Sequence, residues 1–454
     1  MSITQAVNPA TRPNYRYWVL LMLFVVYAFN FLDRQIISIL AIPIREELGL
    51  SDRQLGLLGG IAFAFLYSTL GVPIAWLADR TNRVRIIAIS LTFWSAFTAV
   101  CGLAQNFWQL FLARVGVGVG EAGGVAPSYS LIADYFPPRS RARALAIYSL
   151  GIPIGSAFGV VAGAQIAGGA LGDSLDWRSA FIIVGLAGVL VAPVFWLTVK
   201  EPWRGGLDRK AAAAPEIKHP PQQGEGLAAG AIEQAAAKPG IGTVLKLLSK
   251  KPSFWLLTFG ASCSSMMGYG VFFWLPSFFA RSFGLGIIDT GWLFGAVLFI
   301  GGCLGILLGG VLADWLGKAR KSAYAIVPAI AFLFAFPMYV AGVLAPSPML
   351  AVLLFLIPTA LGLSWLGPTL SAFQHLAPPD MRAMASAIFL LINNLLGIGG
   401  GIYVLGEIST LLTPTFGEEA LRYSIMVGAS LYVVAGILFL LAARTLARDW
   451  EQQD

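Results

Sequence analysis

Histidine is nearly absent from this 454-residue chain, with two copies, and cysteine is scarce, with three. His219 falls in a polar loop and His375 at the end of an apolar run, so a histidine metal centre or histidine proton relay is not expected. Cys101, Cys263 and Cys303 all lie singly inside apolar runs, which excludes a disulfide scaffold and any CxxC-type metal site. Charge is also scarce: 12% of residues are Asp, Glu, Lys or Arg, about half the ~25% of soluble domains. Apolar residues reach 57% and mean hydropathy is +0.76. A soluble globule cannot hide that much apolar surface, so the chain reads as a membrane protein. The 51 Gly and 25 Pro fit that reading, since both are commoner in membrane helices than in soluble ones.

A bilayer core asks for ~20 mostly apolar residues per helix. Twelve such runs are present, at about 17–43, 53–77, 84–104, 107–135, 141–168, 178–198, 253–281, 288–315, 322–343, 348–376, 381–409 and 421–443. They are too long and too continuously apolar for barrel strands. The first run follows a polar stretch and has no small-residue cleavage site after it, so it is expected to be a retained helix. The expected fold is an all-α polytopic membrane protein of twelve transmembrane helices in two pseudo-symmetric six-helix halves, 1–198 and 252–454. A polar linker, 199–251, with segments such as HPPQQGEG joins them.

The net charge of +7 is no nucleic-acid footprint, because the basic residues sit at the ends of apolar runs, where they act as orientation signals. Arg12, Arg16, Arg80, Arg83, Arg85, Arg139, Arg141, Arg143, Lys318, Arg320, Lys321, Arg382, Arg444 and Arg448 fall on the side of the two termini. The opposite loops hold only Arg45, Arg53, Arg178, Arg281 and Arg422. Both termini are therefore expected in the cytoplasm, with the chain in the cell's inner (plasma) membrane.

The halves repeat one another. "APSYSLIADYFPPRSRARALAIY" (126–148) aligns without gaps to "GPTLSAFQHLAPPDMRAMASAIF" (367–389), and "AWLADRTNRVR" (75–85) echoes "GVLADWLGKAR" (310–320). Parallel repeats of six helices each are a transporter layout. The motifs resemble those of the major facilitator superfamily. Ala75, Asp79, Arg80, Asn82 and Arg83 stand where its loop signature G-x-x-x-D-[RK]-x-G-R-[RK] falls, and Gly310, Asp314, Gly317 and Lys318 repeat it. Asn82 replaces a glycine and, as a residue that tolerates the left-handed region, is expected to keep that turn. Arg114, Gly118 and Gly120 match R-x-x-x-G-x-G in the fourth run, and Gly151, Pro153 and Gly155 the glycine–proline motif of the fifth. More narrowly, Asn30-Phe31-Leu32-Asp33-Arg34 and Gly120-Glu121-Ala122 followed by Pro127 resemble the Spinster branch. That resemblance implies a secondary transporter, not an enzyme, working by alternating access on lysolipid- or sphingosine-type substrates with protons as coupling ion. It implies no cofactor; the expected partners are an amphipathic or lipid substrate, protons and membrane lipids, with the protein a monomer.

Charges inside the apolar runs narrow the site. Asp33, Arg34, Arg114 and Glu121 lie deep, and each costs at least ~2.5–3.5 kcal/mol at the bilayer centre unless it faces a cavity or a partner. Arg114 and Glu121 are seven residues apart, so ~700° of rotation returns them to one face ~10 Å apart. Gly118 between them is expected to leave room for a partner or ligand. The alternative is purely structural, with Asp33–Arg34 and Arg114–Glu121 as compensating ion pairs. The repeat places Phe355 opposite Arg114 and Gly362 opposite Glu121, so polar chemistry belongs to the first half. Without histidine at depth, Asp33 and Glu121 are the expected proton carriers. Substrate contacts are expected from Arg114, Arg34, Asn30, Tyr269, Phe273, Trp274, Trp365, Asn393 and Asn394: an anionic head on the arginines and an apolar body against the second half. A rival reading is a proton-driven transporter of small organic anions or drugs. From the superfamily, Asp79 and Asp314 are expected to close the cytoplasmic side against the starts of helices 11 and 5, with Arg80, Arg83, Lys318, Arg139 and Arg141 around them.

Overall fold

The computed structural model describes residues 13–204, 241–307, 321–378 and 381–450, and among them there is helix and turn but no strand. Most of the expected Val199–Lys251 linker, and the gate residues Asp314 and Lys318, lie outside the described residues.

Among the described residues, ten stretches are long and apolar enough to cross a membrane. The first half comprises α1 (Pro13–Leu48), α2 (Asp52–Ala78), α3 (Arg83–Cys101), α4 (Phe107–Glu121), α5 (Val125–Tyr135), α6 (Arg139–Ala167) and α7 (Trp177–Thr198). After a short α8 (Ile241–Leu248), the second half comprises α9 (Pro252–Phe283), α10 (Ile287–Leu307), α11 (Ala323–Val343), α12 (Pro348–Leu363), α13 (Leu366–Leu376), α14 (Arg382–Asn394), α15 (Gly401–Phe416) and α16 (Ala420–Asp449). The twelve expected runs account for this pattern. The last stretch, Met384–Asp449, holds two of them. The fourth is divided into α4 and α5, so neither piece qualifies alone.

That division has a covalent cause. Proline lacks an N–H and its ring collides with the carbonyl four residues earlier, so a helix breaks one turn before it. Pro127 sits in the first turn of α5, and the chain turns at Ala122–Gly124. Pro368, its counterpart in the repeat, sits in the first turn of α13, and the chain turns at Ser364–Trp365. The sequence repeat is thus a repeat of shape. Wider π turns also interrupt the second crossing at Leu57–Ile61, the eighth at Val297–Gly301 and the eleventh at Leu395–Gly400.

Helix ends are set by side-chain caps. Ser51 and Gln54 form a capping box at α2, and Asn106 and Asp176 accept from the backbone N–H groups of Gln109 and Ser179 at the starts of α4 and α7. Asn82 departs from expectation. It is extended (φ −77°), not left-handed, and its side chain accepts from the Arg85 N–H at 2.9 Å, capping α3. Its short amide is better used on an orphan helix donor than in a positive-φ turn.

Within the first half, α6 presses Gly151, Gly155 and Gly159 against α1. A Cβ on Gly155 would stand 2.1 Å from the Ala28 carbonyl oxygen, and one on Gly159 2.7 Å from that of Leu32. Small residues at this spacing let membrane helices meet backbone to backbone. The end of the linker docks on the second half: Val244 and Leu248 of α8 are buried, and the Leu248 carbonyl accepts from the Trp255 indole at 3.1 Å. Gly155→Ala should therefore cost about 1–3 kcal/mol by overpacking. It should visibly lower the melting temperature in detergent, whereas Gly71→Ala, which meets nothing within 4 Å, should leave melting unchanged.

Candidate substrate cavity and gates

A cavity of about 500 Å³ lies between the halves, lined by both. Among the described residues, Arg34 and Arg114 are its only charged lining residues. Both come from the first half, and neither acid expected near them reaches the wall.

Asn30 and Arg34 are one helical turn apart on α1, so both point at the same place on α4. Arg34 Nε donates to Glu121 Oε2 at 2.6 Å, and Asn30 Nδ2 donates to the same oxygen at 2.8 Å. Glu121 is fully buried and its other oxygen is unbonded. The Arg34 guanidinium lies over three rings, Phe31, Phe63 and Tyr67, at 5.1, 4.6 and 4.4 Å. Such stacking holds a guanidinium in place without consuming its hydrogen bonds, and Arg34 Nη2 is unbonded.

The ion pairs named from sequence as the structural alternative are not formed. Glu121 is taken by Arg34 rather than Arg114. Arg114 is buried, donates once, to the Asp33 carbonyl oxygen at 3.2 Å, and keeps Nε unbonded. Seven-residue spacing puts Arg114 and Glu121 on one face but two turns apart, too far for contact, and each meets a different residue of α1. Gly118 does not leave room for a ligand: its missing Cβ is replaced by the Phe63 backbone oxygen, 2.4 Å from where that carbon would be. The Asp33 side chain is completely buried with neither carboxyl oxygen hydrogen-bonded, near Trp94 and Thr98 of α3.

From the second half, Tyr269, Phe273, Trp365, Asn393 and Asn394 line the cavity. Phe273 fits because Gly59 has no side chain; a Cβ there would be 2.3 Å from its ring. Asn393 accepts from Ser265 at 3.0 Å. Trp274 is a correction: it is fully buried behind the wall, its indole donating to the Ile402 carbonyl at 2.9 Å. Trp274 lies ~100° further round the helix than Phe273, and here that rotation takes it off the wall into the core of the second half. Asn30 also lies off the wall, serving Glu121. Sequence reasoning missed Gln35, which lines the cavity and donates across the halves to the Phe272 carbonyl at 2.5 Å. The signal was a neutral amide in an apolar run, overlooked beside the charges.

At the end of the bundle bearing the termini, Asp79 is exposed, and its carboxylate has no hydrogen bond or ion pair among the described residues. Arg204, unforeseen from sequence, instead caps the C-terminus of α2, donating to the carbonyls of Ala78 and Thr81 at 2.6 Å and to that of Asp79. Arg80 stacks on Trp76 at 4.0 Å. Arg139 is exposed, and Arg141 donates to the Ala133 carbonyl at 2.6 Å. Arg83 is a second correction. It is buried inside the first half, where it pairs with Asp134 and Glu201 at 2.6 Å each and donates to Ser130 at 2.7 Å. It ties the start of α3 to α5 and to the chain after α7, and does not face the other half.

The described ion pairs between halves lie at the opposite end. Arg281 grips Asp52 with two bonds of 2.7 Å, and Ser409 donates to the same carboxylate at 2.7 Å. Beside them Arg53 holds Glu407 with two bonds of 2.5 Å, and Arg45 reaches Glu418 at 3.3 Å. Here the π turns meet: a Cβ on Gly60 would stand 2.8 Å from the Gly399 carbonyl oxygen. This end is closed.

Two helical halves enclosing a central cavity, with the described ion pairs between them at one end, form the frame of a membrane transporter. The sequence pattern of the Major Facilitator Superfamily matches residues 23–401, and the chain belongs to that superfamily. An MFS-type efflux pump of Mycolicibacterium smegmatis is 32% identical over 94% of this chain and 92% of its own. Protein spinster homolog 1 of Xenopus tropicalis is 27% identical over 95% and 81%. A crystal structure of a bacterial homolog of the human lysosomal transporter Spinster, inward-facing and unoccupied, superposes with a TM-score of 0.82 at 31% identity, covering 98% of this chain and all of that one. The chain is a Spinster-like transporter, not an enzyme.

Arg83→Ala should lower stability by about 3 kcal/mol or more, because it removes a buried cation shared by Asp134 and Glu201. Thermal melting in detergent should show the loss, with no change in the spacing between halves measured by spin labels. Asp52→Ala should open the far end. Each 1.4 kcal/mol of lost closure free energy is tenfold in population, so modification of a cysteine placed behind it should quicken about tenfold or more.

Proposed function

We propose that this transporter carries an anionic amphiphile of the lysolipid class and couples its movement to protons. The observation that supports this most is the cavity wall, whose charges are two arginines from one half while the other half contributes rings and neutral polar groups. Arg114 has no carboxylate partner and an unbonded Nε, so it is free to take an anionic head group. The rings of Tyr269, Phe273 and Trp365 are suited to an apolar body.

Arg34 links the two ligands. It is held by Glu121 through Nε, yet the residue lines the cavity and its Nη2 has no hydrogen bond. When Glu121 takes a proton, its hold on Arg34 weakens and the guanidinium turns to the substrate anion. When Glu121 is charged, it reclaims Arg34. Proton and anion binding therefore reinforce one another, and linkage makes the effect reciprocal: anion affinity rises as pH falls. Asp33, buried beside Arg114's carbonyl contact with no hydrogen bond to its carboxylate, is the second proton site, because an unpaired ionised carboxylate in such a place is costly. The closed far end corresponds to the exoplasmic side, with both termini cytoplasmic and the cavity facing inward in a cell membrane. Asp79 then has no partner among the described residues because the cytoplasmic gate is open. The name of the mycobacterial relative favours a second reading, export of small organic anions or drugs from the same site.

Purified protein in liposomes, tested with lysophospholipids and small organic anions at two pH values, separates these readings. Arg114→Ala should lose anion binding at every pH. Glu121→Gln, which keeps an acceptor for Asn30 and Arg34, should bind the anion but lose the pH dependence of transport, and Asp33→Asn should arrest the pH response of the gates. Equal instability of both site variants, relieved in the double variant, would make the residues structural.

A further inference from the structure

The second half has no acid where the first has Glu121; the repeat puts Gly362 there. The vacated position is not filled by hydrocarbon. A Cβ on Gly362 would stand 2.5 Å from the Tyr432 hydroxyl oxygen, so the phenol occupies the space beside this glycine. Tyr339 stacks on Tyr432 at 5.5 Å with ring planes 7° apart, bringing two phenols side by side. Thr359 lies next to the Tyr339 hydroxyl and Ser264 next to that of Tyr432. All four residues line the cavity and all are at least 98% buried. Yet Ser264 Oγ and Thr359 Oγ1 make no hydrogen bond. Buried hydroxyls without partners are costly and rare, and these two stand at the wall of a space built to receive a ligand.

We propose that Tyr432, Tyr339, Thr359 and Ser264 form a second, uncharged subsite that hydrogen-bonds a hydroxyl group of the transported anion. This rests on the reading of Arg34 and Arg114 as the anion site. The two subsites are pseudo-symmetric: a charged one around Glu121 and a neutral one around Gly362. Together they select a substrate that carries both a negative group and a hydroxyl. A charged group is disfavoured at the second subsite, because none of its four hydroxyl groups brings a compensating charge. The hydroxyl has two chemical sources, the glycerol of a lysophospholipid or the chain of a short hydroxylated organic acid.

The test pairs each source with its deoxy analogue: a 1-acyl lysophosphatidate with and without its free glycerol hydroxyl, and a short hydroxy acid with and without its hydroxyl. Affinity for each is measured in detergent with the parent protein, Tyr432→Phe, Thr359→Val and Arg114→Ala. In the parent, removing the hydroxyl from the ligand of the correct source should weaken binding about tenfold, the scale of one good hydrogen bond. In Tyr432→Phe or Thr359→Val the hydroxylated ligand should fall to the level of its analogue, while the analogue binds as before. Which pair shows the difference identifies the source. Equal affinity for both members of both pairs in the parent, or a tenfold difference that survives both substitutions, overturns the subsite. Failure of both probe classes to bind the parent overturns it too. Arg114→Ala reports separately: unchanged affinity there removes the anion reading, whereas lost affinity with no hydroxyl discrimination removes the subsite alone.

Discussion

The pair formed by Arg34 and Glu121 is the contact on which the cavity's chemistry depends. A carboxylate buried between membrane helices needs a cation and hydrogen bonds of its own. Glu121 finds these on a neighbouring helix, in two residues one turn apart, while the nearest arginine on its own helix, Arg114, is left with a single bond to a backbone carbonyl. Because the acid lies behind the wall while both arginines stand on it, the wall itself presents positive charge. Had Arg114 paired with Glu121, the same four charges would have cancelled and the cavity would have been neutral.

The rest of the fold keeps that pair in register. Gly155 and Gly159 bring α6 against α1, and the absent side chain of Gly118 lets α4 rest on the Phe63 backbone of α2. Phe63 in turn carries the Arg34 guanidinium on its ring. Arg83 binds the far reaches of the same half into one body, so that movement between halves need not disturb it. The described ion pairs across the halves are gathered at one end, around Asp52, where glycines on the second and eleventh crossings allow close approach.

How much of this the sequence disclosed follows from the range of each interaction. Helices, their repeat and the superfamily motifs are written in composition and spacing. The break at Ala122–Gly124 was also within reach, since Pro127 and Pro368 occupy the same place in the repeat. The deep charges could be named, but their partners could not: helical spacing relates residues on one helix, whereas Glu121 is satisfied from another. Gly118 and Asn82 failed for the same reason in miniature. A glycine can admit a ligand or a backbone, and an asparagine can turn or cap; only the packed neighbour decides. Trp274 was misplaced because an aromatic run in a helix must face several ways, and Arg83 because a motif arginine can serve one half instead of joining two. The hydroxyl group around Gly362 was hidden by treating a missing acid as a missing polar site.

The central claim is that the anion and Glu121 compete for Arg34, so that binding the anion draws a proton onto the protein. Isothermal titration of a soluble short-chain lysophosphatidate, repeated in buffers of different ionisation enthalpy at one pH, counts the protons exchanged per ligand bound. The account predicts net proton uptake on binding at a pH where Glu121 is charged in the free protein, and its loss when Glu121 is replaced by Gln. Heats independent of buffer at every pH, with the anion bound, would contradict it.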